Sequence, residues 1–463
     1  MTIISDSFIN LETERFPIQA MTRIMQSALM AADPYQAVMR NIQLDGDNLR
    51  IGDITYILYN NSRIVCLSIG KAAIAMADAA NRQLAAQIDE GVIVCKHNPR
   101  AENMIGKMPI LQGSHPVPDE QSIKAAETIR QTLQGLNEHD LVILLISGGG
   151  SALVCLPAPG IALQDMQKVT SALLHSGASI NEMNAVRKHL DLIKGGGLLK
   201  MASPARVAAL VLSDVVNSPL DVIASGPAVP DPSTYEDVQE IFNKYLAESD
   251  IPTAIQKRIN QGCAGEIEET LKIGDAQAIQ AAHKVIASNR VSAEAAIKAA
   301  IEEGFESEII TCELVGDARL AGERLVDILR SKKTLQKPYL GIAGGETTVK
   351  VTGSGLGGRN LEVALGAIKS LRGEQNSMLV TLATDGEDGP TDAAGALVTG
   401  ATFEKAAAMG LTPDAFLKVN DAYHFFEKVG GLIKIGPTGT NVNDLNFIIK
   451  LPEKKQFSIV EKN

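Results

Sequence analysis

One short stretch of the chain, Lys350–Glu362 (KVTGSGLGGRNLE), has glycines at a spacing that suits the binding of phosphates. Gly353, Gly355 and Gly358 spell the pattern G-x-G-x-x-G. The stretch follows a strand-like run, TTVKV, and leads into a helix-like run, NLEVALGAIKSL. A glycine turn between a strand and a helix is typical of dinucleotide binding. One interpretation is therefore an NAD(P)-dependent oxidoreductase.

The charged residues near this turn favour another chemistry. Arg359 follows the last glycine directly, and a planar guanidinium stabilises negative charge on phosphoryl oxygens. A dinucleotide site needs one acid near the end of the next strand, but the loop TDGEDGPTDAAG supplies Asp385, Glu387, Asp388 and Asp392. Carboxylates on a glycine-rich turn suit Mg²⁺ together with phosphate oxygens. Asp385 and Asp388 are the candidate metal ligands; the alternative is that these acids only solvate a loop.

Further glycine-rich turns follow other predicted strands. Lys71 comes directly after Gly70 in LSIGKAA, and AGGETT contains Glu346. The turn LISGGGSAL presents consecutive backbone N–H groups, which bind oxyanions well; its candidate residues are Ser147, Gly148, Gly149, Gly150 and Ser151. His115 lies in a proline-flanked turn, GSHPVPDE, and is a candidate substrate contact. Such turns in both halves of the chain predict a polyphosphate ligand in a cleft between two domains.

Several other site types are absent from the sequence. There is no Walker A motif and no protein-kinase motif set, which excludes those two nucleotide-binding classes. The nucleophile elbow G-x-S-x-G of the α/β-hydrolases is missing, and the histidines form no H-E-x-x-H or H-x-H cluster. A serine hydrolase and a zinc enzyme are therefore disfavoured.

The elements that position these turns alternate between short apolar runs and helical patterns. RIVCLSIG (63–70), EGVIVCK (90–96), DLVILLISGGG (140–150) and VAALVLSDV (207–215) are continuous apolar runs, as expected for parallel strands covered on both faces. The alternation predicts an α/β fold. A composition change at about 230–275 (VPDPSTYEDVQE and the polar stretch after it) predicts two domains, 1–275 and 276–463.

Composition limits the partners of the protein. The 463 residues carry a net charge of −11 and no basic run, so a nucleic-acid partner is not expected. An anionic substrate must then bind in a local cationic pocket. The N-terminal residues do not resemble a signal peptide, and no apolar run of about 18 residues occurs. We therefore expect a cytoplasmic protein without a membrane partner, either a monomer or a homodimer.

Taken together, the motifs resemble one known family, the class II glycerate kinases, which are D-glycerate 2-kinases with a C-terminal MOFRL domain. The resemblance runs from about Ile69 to Leu445. The motifs that carry it are SIGKAA, GSHPVPDE, ISGGGSAL, GASINEMNAVRKHLDLIKGG, SDVV, GGETTV, GLGGRNLE, DGEDGPTDAAGA and GPTGTNVNDL.

This resemblance implies a fold and an activity. The fold would be a large Rossmann-like parallel-sheet domain followed by a smaller α/β MOFRL domain, with the active site between them. The activity would be transfer of the γ-phosphoryl group of ATP, with Mg²⁺, to the 2-hydroxyl of D-glycerate, giving 2-phosphoglycerate and ADP. Lys71 and Arg359 would be the active-site cations, and Asp214 and Asp385 the cleft carboxylates.

Assigning roles within this implied site gives a hypothesis for each group. Asp214 accepts the hydroxyl proton, and Asp385 binds the metal with the help of another carboxylate, Asp388. The turn SGGGS holds the ATP phosphates. The remaining candidates for binding nucleotide or substrate are Gly70, His115, Arg187, Glu346, Gly357 and Gly358.

The chain departs from the usual family pattern at two places. Leu361 replaces a polar residue beside Arg359, and Asn217 and Ser218 replace a glycine–aspartate pair after SDVV. Both changes are expected to bear on substrate choice. The second functional hypothesis is an NAD(P)-dependent hydroxypyruvate reductase, a label that some relatives carry. The third is a non-catalytic nucleotide or sugar-phosphate sensor.

Overall fold

A computed structural model describes residues 16–97, 102–333 and 335–453 of the chain. The chain divides into two compact units. Of the described residues, those from 34 to 287 form the N-terminal unit, and those up to 33 and from 288 onward form the C-terminal unit. Among the described residues, no helix combines the length and the apolar character needed to span a bilayer.

The chain begins with α1 (Ile18–Ala31), which belongs to the C-terminal unit, and then enters the N-terminal unit. The elements of that unit alternate between strands and helices. They are α2 (Pro34–Asn41), β1 (Ile42–Asp45), β2 (Asn48–Ile51), β3 (Ile54–Ile57), β4 (Ile64–Ile69), α3 (Ala73–Leu84), β5 (Ile88–Cys95), β6 (Met104–Ile105), β7 (Met108–Gln112), α4 (Glu120–Thr132), β8 (Leu141–Ile146), α5 (Gly150–Leu153), α6 (Leu163–His175), α7 (Ile180–Leu190), α8 (Gly197–Ala202), β9 (Arg206–Leu212), α9 (Tyr235–Tyr245), α10 (Thr253–Cys263) and β10 (Ala281–Ala287).

The main sheet of the N-terminal unit has the strand order β10-β9-β8-β4-β5-β7-β6. All its pairs are parallel except that of β6 with β7. Both β4 (IVCLSI) and β8 (LVILLI) are buried along their whole length, because helices cover both faces of a parallel sheet. The chain moves outward from β4 in one direction and from β8 in the other, which is the Rossmann-like arrangement. The prediction of this fold is confirmed.

A second, small sheet in this unit consists of β1, β2 and β3 in antiparallel order. It precedes the first parallel strand and lies outside the motif-bearing part of the sequence.

The C-terminal unit contains α1 and the elements after β10. They are α11 (Asn289–Glu302), β11 (Glu306–Leu314), α12 (Ala318–Ser331), β12 (Tyr339–Gly345), α13 (Arg359–Leu371), β13 (Ser377–Ala383), β14 (Gly395–Thr399), α14 (Thr402–Ala408), α15 (Pro413–Lys418), α16 (Ala422–Val429), β15 (Leu432–Ile433) and β16 (Asp444–Lys450).

The sheet of the C-terminal unit has the order β11-β12-β16-β13-β14-β15. The pair β11–β12 is parallel and the other pairs are antiparallel. One face packs on α1 and α11 through apolar residues such as Met25 and Ala296; the other packs on α12 and α13. This unit is therefore an α/β domain with a mixed sheet.

The division of the chain differs from the predicted 1–275 and 276–463 in two places. The strand β10 pairs in parallel with β9, so the N-terminal unit extends to residue 287. The helix α1 packs on α11, where Ser27 Oγ donates to Ala295 O at 3.2 Å and Arg23 pairs with Glu303. The composition change at 230–275 coincides with α9 and α10, which lie inside the N-terminal unit.

Candidate active site

The parallel sheet brings several predicted site residues to one edge. In register, Ile69 at the end of β4 is opposite Ile146 of β8, and Ile146 is opposite Val211 of β9. The residues that follow these three strands therefore emerge side by side. Since β4 and β8 are also the strands at which the strand order reverses, this edge is where open α/β sheets bind ligands.

The turn after β8, Ser147–Ser151, is fitted closely against the turn after β4. Lys71 N donates to Gly148 O at 2.9 Å, and Ala72 N donates to Ser147 Oγ at 3.0 Å. A Cβ atom at Gly70, whose φ is +131°, would lie 2.2 Å from Ser147 Oγ. The glycine at position 70 is therefore required by the approach of the two turns.

Asp214, which follows β9, lies against the same turn. A Cβ atom at Gly148 would lie 2.0 Å from Asp214 Oδ2, so only glycine leaves room for this carboxylate. Asp214, one of the predicted cleft carboxylates, thus lies against the glycine-rich turn, and its proton-accepting role stays a prediction.

His115 and Lys71 both approach Gly149. The nearest atoms to a Cβ placed on Gly149 are Cδ2 of His115 at 3.1 Å and Cε of Lys71 at 3.4 Å. Burial lowers the pKa of His115, and the charges of Lys71 and Lys96 lower it further. His115 is therefore neutral near pH 7, and Lys71, which is exposed, supplies the positive charge at this turn.

The loop that follows Asp214 has a strained backbone and packs on the turn. Asn217 and Ser218 have φ values of 63° and 50°, and Ala224 and Ser225 have 51° and 59°. Left-handed non-glycine residues cost free energy and cluster at functional sites. A Cβ on Gly150 would lie 3.0 Å from Ala224 Cβ, so this loop fixes the start of α5.

Two further candidates belong to the same unit. Ser151 Oγ lies 2.8 Å from Ser225 Oγ, which in turn donates to Asn184 Oδ1 at 3.2 Å. Arg187 is half-buried near the end of α7, and burial lowers the pKa of its guanidinium. In the described part of the chain Arg187 forms no ion pair, so its charge is available to an anionic ligand.

In the C-terminal unit, Arg359 is clamped by two carboxylates. Its Nε and Nη2 donate to the two oxygens of Asp444 at 3.1 and 3.3 Å, and its Nη1 donates to Glu346. Burial alone would lower the pKa of Arg359, but Asp444 and Glu346 raise it. The predicted ligand-binding residue Glu346 therefore serves to hold Arg359.

The topology of the sheet explains how Asp444 reaches Arg359. The strand β16 runs antiparallel between β12 and β13, so its first residue, Asp444, is opposite their last residues, Gly345 and Ala383. Burial raises the pKa of Asp444 to about 7, although the nearby guanidinium of Arg359 acts in the opposite direction. Asp444 is not among the predicted site residues, because the predicted acids follow strands whereas Asp444 begins one; the motif GPTGTNVNDL contains it.

Asp388 has a different role from the predicted one. Its Oδ1 accepts from Asn360 N at 3.0 Å and its Oδ2 from Leu361 N at 2.8 Å, so it caps the N-terminus of α13. A Cβ on Gly358 would lie 2.3 Å from Asp388 Cγ. Glycine at position 358 therefore leaves room for the carboxylate of Asp388. This arrangement does not support Asp388 as a metal ligand or Gly358 as a phosphate contact.

The G-x-G-x-x-G pattern also has a structural explanation. The predicted strand TTVKV is not formed: β12 ends at Gly345 and a loop, 346–358, follows. Asn420 Oδ1 accepts from Thr352 N at 2.7 Å and Gly353 N at 3.0 Å, and Asp421 Oδ1 accepts from Leu356 N at 2.9 Å. These backbone donors are already used, and the helix N-terminus that a pyrophosphate would need holds Asp388. The structure does not support the dinucleotide interpretation of this turn.

The packing also changes the interpretation of Leu361 and Gly357. Leu361 is fully buried in the core between α13 and the sheet, so its replacement of a polar residue does not alter a ligand contact directly. Gly357 lies against Asn420 and Ala422, whose nearest atoms to a Cβ would be 3.3 and 3.4 Å away. It contributes to the loop packing described above.

Asp385 is the remaining candidate for holding a metal ion. Its Oδ1 accepts from Glu387 N at 3.2 Å, and burial raises its pKa while Arg359 lowers it. Within the described residues, no group of three or more His, Cys, Asp or Glu side chains could bind a metal ion together. Mg²⁺ often uses only one or two carboxylates beside phosphate oxygens, so Asp385 fits a single contact to a nucleotide-bound ion.

Comparison with known proteins gives matches over nearly the whole chain. The model described as "Domain of unknown function (DUF4147)" matches residues 20–260, and that of the MOFRL family matches 339–444. The chain is 45% identical to a D-glycerate 2-kinase of Thermotoga maritima over 83% of this chain and 90% of that protein. It is 39% identical to a glycerate 2-kinase of Pyrococcus horikoshii, covering 92% and 96%. A crystal structure of a Thermotoga maritima glycerate kinase matches with a TM-score of 0.83 and 40% identity, covering 94% and 99%.

Proposed function

The chain belongs to the glycerate 2-kinase family of DUF4147 and MOFRL proteins, and from this premise we propose that it phosphorylates D-glycerate at the 2-hydroxyl with ATP. The products are 2-phosphoglycerate and ADP. The observation that carries the proposal is the identity of 45% to a D-glycerate 2-kinase over most of both chains. The predicted site residues that lie together after β4, β8 and β9, described above, also support it.

In the N-terminal unit, the turn Ser147–Ser151 receives the phosphates of ATP. The backbone hydrogen bonds of this turn use the N–H of Ser147 and the carbonyls of Gly148, Gly149 and Gly150. Within the described residues, no hydrogen bond uses the N–H groups of Gly149 and Gly150. Backbone N–H groups of this kind bind oxyanions. Lys71 adds a positive charge beside Gly149, and Asp214 accepts the proton of the substrate hydroxyl.

In the C-terminal unit, Arg359 neutralises charge that develops on the phosphoryl group during transfer. Asp444 and Glu346 hold its guanidinium by three hydrogen bonds, so its orientation is fixed before the substrate binds, which lowers the reorganisation that catalysis requires. A nucleotide-bound Mg²⁺, contacted by Asp385, would shield the phosphate charges.

The competing hypothesis, a hydroxypyruvate reductase, loses its main support because the G-x-G-x-x-G loop is occupied by Asn420, Asp421 and Asp388. Two parallel assays separate the activities. One measures ADP release from ATP and Mg²⁺ with D-glycerate, and with L-glycerate as the control. The other measures NADH oxidation with hydroxypyruvate. ADP release that needs D-glycerate supports the proposal; NADH oxidation without ADP release overturns it.

A further inference from the structure

A cavity of about 410 Å³ lies within the N-terminal unit, next to the phosphate turn. It opens between the proline-flanked turn after β7 and the helices α6 and α7. Most of its wall is apolar, and the apolar lining residues include Pro116, Val117, Met166, Leu174 and Met183. Its volume falls within the range of cavities that bind cofactors and small molecules.

The charges of the cavity point to an anionic ligand. Arg187 and Lys194 both line it. Lys194 is neutralised, because its Nζ donates to the buried carboxylate of Asp191. Arg187 has no such partner in the described part of the chain, and no carboxylate is found among the described residues that line the cavity. The cavity therefore combines an apolar wall with one uncompensated positive charge.

The cavity is continuous with the turn to which we assigned the phosphates of ATP. Gly149 and Ser151 of that turn, together with His115, form part of its lining. A ligand in the cavity is therefore next to the phosphate groups bound at the turn.

These features distinguish three ligand classes. D-Glycerate carries a carboxylate that suits Arg187, but its short hydroxylated skeleton offers little apolar surface to so large a wall. A free nucleoside offers the apolar surface of its base but no anionic group. A nucleotide provides both.

We propose that this cavity binds the base and ribose of ATP, with Arg187 pairing with its phosphates. The inference rests on the proposed function, since it takes ATP as the co-substrate. It assigns the nucleoside end of ATP to the wall formed by α6 and α7, which none of the sequence motifs for phosphate binding specifies.

The first test uses a fluorescent reporter. The chain contains no tryptophan, so Leu174→Trp at the edge of the cavity, where the side chain is 62% exposed, introduces the single tryptophan signal. Met30→Trp, at an exposed position on α1 (58%), is the matched control. We expect ADP to change the emission of L174W saturably and that of M30W not at all, with no change from D-glycerate or tripolyphosphate. A response to D-glycerate, or none to ADP, overturns the inference.

A second test fills the cavity from α6. Thr170 lines it, whereas Gln164 on the same helix is exposed and does not. We expect Thr170→Leu to raise the KM for ATP by about tenfold or more, as steric mismatch in an apolar pocket does, while the KM for D-glycerate and the urea midpoint stay unchanged. Gln164→Leu should change neither KM. If T170L raises the KM for D-glycerate instead, or neither KM, the cavity does not bind the nucleoside.

These outcomes distinguish a failure of the cavity assignment from a failure of the proposed function. If the wild-type protein phosphorylates D-glycerate but L174W does not respond to ADP, the cavity assignment fails and the kinase stands. If no phosphorylation is found but L174W responds to ADP, the kinase proposal fails and the cavity is still a nucleotide site.

Discussion

Gly358 lies so close to Asp388 that adding a Cβ atom at position 358 tests how the two residues pack in the C-terminal unit. Asp388 is 2% exposed, and its carboxylate accepts from the N–H groups of Asn360 and Leu361, the two residues that follow Arg359 in the first turn of α13. In Gly358→Ala, the new Cβ would lie 2.3 Å from Cγ and 2.5 Å from both oxygens of Asp388. Because no van der Waals contact is that short, the carboxylate must leave its position.

The cost follows from the hydrogen bonds that are lost. Asp388 accepts from Asn360 N, Asn360 Nδ2 and Leu361 N at 3.0, 3.3 and 2.8 Å. Losing an N-cap costs about 0.5–2 kcal/mol, and each hydrogen bond to a charged group contributes about 1.5–3 kcal/mol. Since the side chain keeps some of these bonds after a shift, we expect the free energy of unfolding to fall by about 3 kcal/mol.

Gly357→Ala is the matched control for stability. A Cβ at position 357 would come no closer than 3.3 Å to any neighbour, so this variant should change the free energy of unfolding by less than about 1 kcal/mol. Urea unfolding followed by circular dichroism measures both variants. In an Asp388→Ala background the clashing atoms are gone, so adding G358A should cost little more. Equal stabilities of G358A and G357A, or additive costs in the double variant, would refute the steric reasoning.

Three more outcomes follow from the site. Arg359→Ala should lower kcat by a factor on the order of 10³ with folding intact; a loss below about tenfold in steady-state kinetics would make it a bystander. Gly148→Ala, which displaces the Asp214 carboxylate, should lower kcat on the order of 100-fold, whereas Gly274→Ala, with open space around its Cβ, should not. Burial raises the folded-state pKa of Asp444 to about 7, so its contribution to stability is present at low pH and is lost as the pH rises toward 7. Urea unfolding from pH 4.5 to 8 should therefore show a steeper fall for the wild type than for Asp444→Asn, and parallel curves would contradict this.

Much of the N-terminal unit could be predicted from the sequence. Its strands are continuous apolar runs that end in glycine turns, and parallel strands bring those ends to one edge. The turns at Gly70 and Ser147 are therefore found together, as expected. That Gly148 makes room for Asp214 could not be predicted, because the contact depends on the register of β8 with β9.

Less of the C-terminal unit could be predicted from the sequence, for a physical reason. Glycine spacing reports where the backbone lacks Cβ atoms, but not what fills the space. At Gly358 the space is filled by Asp388, and at Gly353 and Gly355 by the backbone of Val419 and by Asp421. Phosphate binding and internal packing give the same pattern of glycines.

Long-range contacts account for the remaining differences. The helix α1 packs on α11, far along the chain, and Asp444 reaches Arg359 through an antiparallel strand in the middle of the sheet. Neither contact leaves a local pattern, since each depends on which strands and helices become neighbours.

The proposed reaction transfers a phosphoryl group to the 2-hydroxyl of D-glycerate. The most direct measurement is ³¹P NMR of one incubation of the protein with D-glycerate, ATP and Mg²⁺, read against standards of 2- and 3-phosphoglycerate. We expect the signals of 2-phosphoglycerate and ADP. Intact ATP, or the signal of 3-phosphoglycerate instead, would contradict it.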